Sequence, residues 1–219
     1  MKKILFAMML APILTFAQTK TEVPQNENAV VVSASQMNVL YIGIDNPIEI
    51  SVCSESCDNI SATIDGGEIT KVFGLKWIAK VKTAGKTKIN VFIEKDGKKV
   101  LFSSKEYRVK SVPNPIAMIA GKRTGAIDKD AMLKAPYLSA ILEDFLFDNV
   151  RYKIASFRIS FAEGTSIDEF KCTSNEISSA AITKLKSIKP DTKVFFEEIK
   201  AIGPDGTERT LDALTFTIK

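Results

Sequence analysis

Two of the chain's three cysteines lie four positions apart and could do chemistry together, Cys53 and Cys57 in the stretch SVCSESCDNI. A pair of thiols can catalyse redox exchange, bind a metal or form a disulfide. The redox spacing is C-x-x-C at a strand-to-helix turn, whereas this pair is C-x-x-x-C at the end of a predicted strand. Zinc needs four ligands, so Cys172 and a carboxylate would have to join the pair from elsewhere. A disulfide requires an oxidising compartment.

Carboxylates are the other side chains that could do chemistry, because the chain contains no histidine. This composition excludes Ser-His-Asp and Cys-His nucleophile systems and histidine-ligated metals. Glu197 and Glu198 are adjacent, and Glu143, Asp144 and Asp148 flank two phenylalanines. A glycosidase needs two converging carboxylates, but neighbouring residues of a regular strand point to opposite faces. The sequence therefore predicts a protein that is not an enzyme and that needs no cofactor or metal.

The N-terminus has the pattern of a cleaved secretory signal peptide. Lys2 and Lys3 precede an apolar run at residues 4–16, and Ala17 ends a small-x-small exit. The run is shorter than the roughly 20 residues that a membrane-spanning helix needs, which disfavours the alternative of an uncleaved anchor. We predict a signal peptide at residues 1–17, cleavage after Ala17 and export to the periplasm, with no membrane span in the mature chain.

Export to the periplasm bears directly on the cysteines. In an oxidising compartment a disulfide between Cys53 and Cys57 is favoured. Because the disulfide closes a very short loop, the chain-entropy model gives a stabilisation of only about 2 kcal/mol. Cys172 is then either a buried small hydrophobic residue or an intermolecular link, and burial is the more common state of a free cysteine.

The charges are unevenly distributed within residues 41–110. Residues 41–70 contain six acidic and no basic residues, whereas residues 71–110 contain 12 Lys or Arg and three acidic residues. If Trp77 and Val81 face a core, strand alternation turns the neighbouring lysines outward. This reasoning gives a candidate basic docking face for an acidic partner, formed by Lys80, Lys82, Lys88, Arg108 and Lys110.

The alternative for this basic face is an ordinary solvated surface whose lysines keep edge strands from aggregating. An acidic partner could be another protein or the acidic residues 41–70 of a second copy of the chain. Nucleic acid is not an expected partner, because the protein is predicted to be exported and its net charge is only +4.

Period-two alternation and turn signals predict a mainly β protein of two domains. A flexible lead-in at residues 18–29 precedes an immunoglobulin-like β-sandwich at 30–111, in which KDGK at 95–98 marks a hairpin. The prolines of VPNP at 112–115 favour a domain boundary, and a small α+β domain is predicted at 112–219. Its first helix would begin after Asp128 and end before Pro136. Its second would open with a capping box formed by Thr173 and Glu176.

Three stretches of the chain resemble the C-terminal half of the periplasmic region of the gliding-motility family GldM. They are SASQMNVLYIGIDNPIEISV in the first domain, YRVKSVPNPIAMIAGK at the junction and VFFEEIKAIGPDGTERTL near the end. The third stretch is the most specific, because a generic hairpin does not require FFEEIK before its turn. The resemblance covers roughly residues 30–219.

This resemblance implies a periplasmic part of the type IX secretion and gliding machinery of the Bacteroidetes. Members of the family are rods of consecutive domains, usually dimeric, that connect an inner-membrane motor to an outer-membrane ring, and they have no known catalytic site. The implied partners are envelope proteins of that machinery and a second copy of the chain. The family has a membrane helix and further domains where this chain has its signal-like start. An alternative is therefore a stand-alone periplasmic accessory that binds a soluble ligand or a cell-wall polymer.

Overall fold

The computed structural model of the protein describes residues 37–52 and 59–219. Strands dominate these residues, and two short helices lie in the C-terminal half. The strands before residue 111 are β1 (Val39–Tyr41), β2 (Asn46–Glu49), β3 (Ile60–Ile64), β4 (Gly67–Phe73), β5 (Lys76–Val81), β6 (Gly85–Lys95) and β7 (Lys98–Lys110). The later elements are β8 (Ile116–Ile119), β9 (Thr124–Ile127), α1 (Lys129–Lys134), β10 (Leu138–Ile141), β11 (Lys153–Glu163), β12 (Ser166–Cys172), α2 (Ser179–Ser187), β13 (Lys193–Ile202), β14 (Glu208–Thr210) and β15 (Leu214–Ile218).

The first seven strands form two sheets that enclose one hydrophobic core. The strand orders are β1-β7-β6-β3 and β2-β5-β4. Both sheets contribute buried side chains to this core, which include Leu40, Ile60, Ile64, Trp77, Ala79, Val81, Ile89 and Val109. On β5, Trp77 and Val81 are buried and Lys80 is exposed, which confirms the predicted alternation. Two sheets that turn their apolar faces toward each other make a β-sandwich.

The longest hairpin of the sandwich joins β6 to β7 at the predicted KDGK turn. Asp96 and Gly97 have φ angles of 51° and 70°. Two successive positive φ values are what a type I′ hairpin turn requires. On the other side of β7, β1 pairs in parallel with residues 108–110.

Residues 113–219 build a second core around a mixed sheet. The order of this sheet is β12-β11-β13-β15-β9, with β14 paired to β13, and β8 and β10 form a separate two-stranded sheet. The largest fully buried side chains of this core are Ile119, Ile127, Met132, Leu138, Ile159, Phe161, Leu185, Ile188, Phe196, Ile199 and Phe216. The protein is therefore mainly β, with a β-sandwich followed by a small α+β region, as the sequence predicts.

One of the two helix starts differs from its prediction. Helix α1 follows Asp128 and ends before Pro136, as expected. Helix α2 begins only at Ser179, and its cap is Ser178, whose side chain accepts a hydrogen bond from the amide of Ala181. The predicted capping box at Thr173 and Glu176 is wrong, because residues 175–177 pair instead with residues 136–138 through backbone hydrogen bonds of 2.8 Å.

Several predictions concern residues outside the part of the chain that the structure describes. They are the signal peptide at residues 1–17, the lead-in at 18–29, and the disulfide between Cys53 and Cys57, and all of them stay predictions. Within residues 37–52 and 59–219, no helix is long and apolar enough to cross a membrane.

Candidate interaction surfaces

The five cations of the predicted basic docking face lie on two different sheets. Lys88, Arg108 and Lys110 are exposed on β6 and β7 of one sheet. Lys80 is exposed on β5 of the other sheet, and Lys82 follows that strand. Because both sheets turn their inner faces to the same core, their outer faces point away from each other. The structure therefore groups Lys88, Arg108 and Lys110 and separates them from Lys80 and Lys82.

Carboxylates interrupt both outer faces. Lys86 contacts Glu106 at 2.8 Å on β6 and β7. The hydrogen bond from Lys86 and its positive charge hold the pKa of Glu106 below the ordinary range. On the other sheet, Lys80 contacts Asp45 at 3.2 Å, and both side chains are 60% exposed. Pairs this exposed contribute little to stability, so they shape surface charge more than they hold the fold.

The end of the sandwich that faces the C-terminal region is closed by a buried arginine. Arg209 donates hydrogen bonds to the backbone oxygen of Val112 and the side-chain oxygen of Asn114, and its other terminal nitrogen lies 2.7 Å from Asp205 Oδ2. The side chains of Arg209 and Asp205 are only 14% and 6% exposed. The guanidinium also lies 5.2 Å from the ring centroid of Tyr152. One side chain thus ties the inter-domain linker to the turn at residues 203–206.

Two ionisable neighbours of this arginine have shifted pKa values. Burial alone would raise the pKa of Asp205, but hydrogen bonds from Thr207 and Arg209 outweigh it, and the net pKa is lowered. Burial raises the pKa of Tyr152, although the positive charge of Arg209 opposes the change. The hydroxyl of Tyr152 donates to the backbone oxygen of Pro113 at 2.9 Å. The linker therefore has hydrogen-bonded partners at two places in the C-terminal region, Arg209 on β14 and Tyr152 just before β11.

The turn between β1 and β2 packs directly against the same region. Tyr41 at the end of β1 lies edge-on to Phe145 and Phe147, with ring centroids 5.0 and 5.7 Å away. A Cβ added to Gly43 would come within 2.5 Å of the backbone of Asp205. Gly43 also has a φ of 77°, so glycine is required there for both space and conformation. We refer to these contacts together with those of Arg209 as the junction.

A buried asparagine fixes the shape of that turn. Asn46 is 2% exposed. Its side-chain nitrogen donates to the backbone oxygens of Tyr41, Ile44 and Ala79, and its side-chain oxygen accepts from the amide of Tyr41. An Asn-Pro pair is typical of a turn, but nothing local in the sequence indicates that the side chain of Asn46 reaches Ala79 on β5. These hydrogen bonds fix the backbone conformation of the turn that packs against the C-terminal region.

The opposite end of the sandwich exposes apolar side chains. The register of β2, β4 and β5 places the β4–β5 turn at this end, together with the β6–β7 turn of the other sheet. Phe73 beside the first turn is 82% exposed. Val100, Leu101 and Phe102 after the second turn are 47%, 55% and 55% exposed. We call this end of the sandwich the tip. Exposed apolar groups that adjoin one another, as the consecutive residues Val100, Leu101 and Phe102 do, are typical of interaction sites.

The adjacent carboxylates Glu197 and Glu198 do converge, contrary to the alternation argument. Glu198 has a φ of 51°, and β11 shifts its register against β13 at residues 154–158. The two carboxylates therefore both reach Arg158, each at 3.3 Å. Glu169 lies at 3.8 Å from the same guanidinium. The acids neutralise an arginine here, which is a structural role.

A second ion-pair cluster joins helix α2 to the sheet. Lys184 contacts Glu163 at 2.6 Å and Asp168 at 2.8 Å. The hydrogen bonds that Lys184 donates to Asp168 and Glu163 raise the pKa of Lys184, and the bond to Glu163 lowers the pKa of that carboxyl. Within the described ranges, no three His, Cys, Asp or Glu side chains are grouped as metal ligands.

Cys172 is a buried residue, one of its two predicted states. It is 2% exposed, and its Sγ accepts a hydrogen bond from the amide of Ser178 at 3.3 Å. An intermolecular link would require an accessible sulfur, so the structure supports the hydrophobic role.

Family comparisons match both halves of the molecule. The family model of the GldM third domain matches residues 29–110, and that of the GldM C-terminal domain matches residues 113–219. The chain belongs to the GldM family. The two GldM domains meet at the linker that Arg209 and Tyr152 bind.

Other comparisons add less. Among solved structures, this GldM-family chain is similar to the fibronectin(III)-like modules of Clostridium thermocellum CbhA. The identity is 12%, the TM-score is 0.28, and the match covers 83% of this chain and 89% of that chain. A comparison with curated proteins gave no match.

Proposed function

We propose that this protein is a non-enzymatic interaction module of the gliding or secretion machinery, and that it acts in the periplasm by binding envelope proteins of that machinery. The match to two consecutive GldM domains across residues 29–219 carries the proposal. GldM-family domains are structural components of such a machinery and are not known enzymes.

The geometry of the described residues supports a structural role. The adjacent carboxylates Glu197 and Glu198 both bind Arg158 as ion pairs, and Glu143 lies 3.8 Å from Arg123. The junction connects the two domains through buried polar contacts, and the tip presents unburied apolar groups. A module that joins other proteins needs this combination of a fixed body and an accessible contact surface.

Affinity purification from the native periplasm after mild cross-linking tests this proposal. A tagged chain should recover envelope proteins of the gliding or secretion machinery, and an unrelated exported β-sandwich with the same tag serves as the control. Equal recovery by the control, or no machinery protein at all, would contradict the proposal. Cross-linking at two protein concentrations also tests self-association, which the family leads us to expect.

A second candidate function is a stand-alone accessory that binds an anionic cell-wall polymer. The observation in its favour is the exposed group of Lys88, Arg108 and Lys110 on one outer face. Retention on peptidoglycan that is lost at high salt and in the triple variant Lys88→Ala/Arg108→Ala/Lys110→Ala would support this candidate. Retention that these substitutions leave unchanged would eliminate it.

A further inference from the structure

The first observation concerns the edge of β7 that faces β1. Strand β1 covers only residues 108–110 of this edge. The amide of Arg108 donates to Asn38, and the oxygen of Lys110 accepts from Ile42, so both direct backbone groups toward β1. Because these directions alternate along a strand, Ser104 and Glu106 direct theirs to the same side. Among residues 37–52 and 59–219, no strand pairs with β7 there.

The second observation is the apolar group on the same strand. Leu101 and Val100 lie opposite Phe92 and Ile93 of β6. The register shifts at this point, so Phe102 is an additional residue on β7 and lies about half exposed beside the other two. An edge strand with unpaired backbone groups and exposed apolar side chains favours the addition of another strand.

The third observation is the charge around this apolar group. Lys98 and Lys99 precede it, and Lys105 follows it, all of them exposed. Glu106 is the only acid on the strand, and Lys86 binds it. A second copy of β7 would bring these lysines together, which repels self-pairing through this edge. A segment that carries carboxylates is attracted instead.

We propose that residues 98–106 of β7 form a docking site for an extended polypeptide segment in which acidic residues accompany apolar ones, bound by strand addition. This inference rests on the proposed function, because it gives the chemistry of the partner. The backbone pairs with Ser104 and Glu106, the apolar side chains cover residues 100–102, and the carboxylates approach the lysines. A lipid surface could contact the apolar and basic groups but would make no use of the strand edge.

Fluorescence anisotropy with synthetic peptides tests the site directly. The probe is a short peptide that alternates glutamate and valine. One comparison peptide has lysine for glutamate, and another keeps the glutamates but carries methyl groups on its backbone amides. We expect the intact protein to bind the acidic peptide and both comparison peptides at least about tenfold more weakly, because one loses charge complementarity and the other loses backbone donors.

Variants of the protein separate the two contributions. Ser104→Pro removes a backbone donor on the β1-facing edge of β7, and proline is tolerated on edge strands. Lys99→Glu/Lys105→Glu reverses the charge, and Lys171→Glu/Lys189→Glu on the C-terminal domain is its matched control. Ser104→Pro should weaken peptide binding at least about fivefold, the equivalent of one lost hydrogen bond. Lys99→Glu/Lys105→Glu should weaken binding of the acidic peptide more than Lys171→Glu/Lys189→Glu does. If Ser104→Pro does not fold, the charge-reversal pair still tests the site.

Two outcomes would contradict strand addition at this site. Equal binding of the methylated peptide would show that no strand is added. No peptide binding, together with sedimentation on phosphatidylglycerol vesicles that Leu101→Ser/Phe102→Ser abolishes, would assign the surface to lipid. If the envelope purification fails but peptide binding follows β7, only the proposed function is wrong. If the purification succeeds and the acidic peptide does not bind, only the docking site is wrong.

Discussion

The two ends of the β-sandwich are built in opposite ways. At the junction, the side chains of Arg209 and Asp205 are only 14% and 6% exposed, and Arg209 donates hydrogen bonds to Asp205 and to the linker. At the tip, Phe73 and Phe102 are exposed, and β7 has an edge to which no described strand is bonded. Both ends belong to the same two sheets, so the difference comes from the side chains placed there.

The difference indicates that the junction attaches the sandwich to the C-terminal domain and that the tip is suited to binding a partner. Buried charges are costly unless their partners are fixed, so the junction tolerates little change in the relative placement of its parts. Exposed apolar groups impose no such requirement and become stabilising only when another surface covers them. We therefore expect substitutions at the junction to change stability and substitutions at the tip to change binding.

The largest effect is expected from Arg209→Leu. The substitution leaves the buried carboxylate of Asp205 without its cation, and losing one partner of a buried pair costs about 3–5 kcal/mol. Denaturant unfolding measures the loss. Arg209→Lys keeps the charge but cannot reach all the acceptors. Its free energy of unfolding should therefore lie between those of the wild type and Arg209→Leu. Unfolding of Arg209→Leu at the wild-type midpoint would mean that the junction is not a stabilising contact.

The next effect is expected from Gly43→Ala, with Gly66→Ala as its matched control. Both glycines have positive φ angles, 77° and 65°, but only Gly43 faces the backbone of Asp205. Both variants share the conformational cost, and Gly43→Ala adds an overpacking cost of about 1–3 kcal/mol. Thermal unfolding compares them. Equal losses of stability in the two variants would contradict the close contact, in which a Cβ on residue 43 would lie 2.5 Å from the backbone of Asp205.

A smaller effect is expected from Tyr152→Phe. The ring remains beneath Arg209, but the hydroxyl that donates to Pro113 is lost, at a cost of about 1 kcal/mol. Leu101→Ser at the tip is the comparison, since that side chain is already half exposed and its loss should be nearly neutral. A larger loss of stability for Leu101→Ser than for Tyr152→Phe would contradict the view that the junction contributes more to stability than the tip.

The smallest effect is a pH dependence at the junction. Because the pKa of Asp205 is lowered in the folded state, its contribution is complete above the ordinary value of 3.8. That contribution is lost as the pH falls through the folded pKa. The difference in unfolding free energy between wild type and Asp205→Asn should therefore shrink between about pH 5 and about pH 2. Parallel curves for the two proteins would contradict the pairing.

The sequence predicted the features that depend on neighbours along the chain. Alternation placed Trp77 inside and Lys80 outside, Asp96 and Gly97 marked the hairpin, and Pro136 marked the end of a helix. Each of these follows from local backbone preferences. The predicted start of α2 was wrong because the backbone groups of Asn175 and Ile177 pair with residues 136–138, and no local rule includes that competition.

Features that depend on distant partners could not be predicted in the same way. Alternation shows that Lys80 and Lys88 point outward but not that they belong to different sheets. A bulge at Glu198 overrides the alternation that would separate it from Glu197. The burial of Arg209 is set by the linker nearly a hundred residues earlier in the chain, so in the sequence its turn looks like an ordinary surface hairpin.

The parallel pairing of β1 with β7 has a mechanical consequence. These are the first and last described strands of the sandwich, and both run toward the junction. A load applied between the chain before β1 and the C-terminal domain pulls the two strands along their length in opposite directions. The bonds from Arg108 to Asn38 and from Ile42 to Lys110 are then loaded together in shear instead of being opened one after another. Because resistance to force depends on the rate of unfolding, this short pairing can make the sandwich strong under tension without making it more stable at rest.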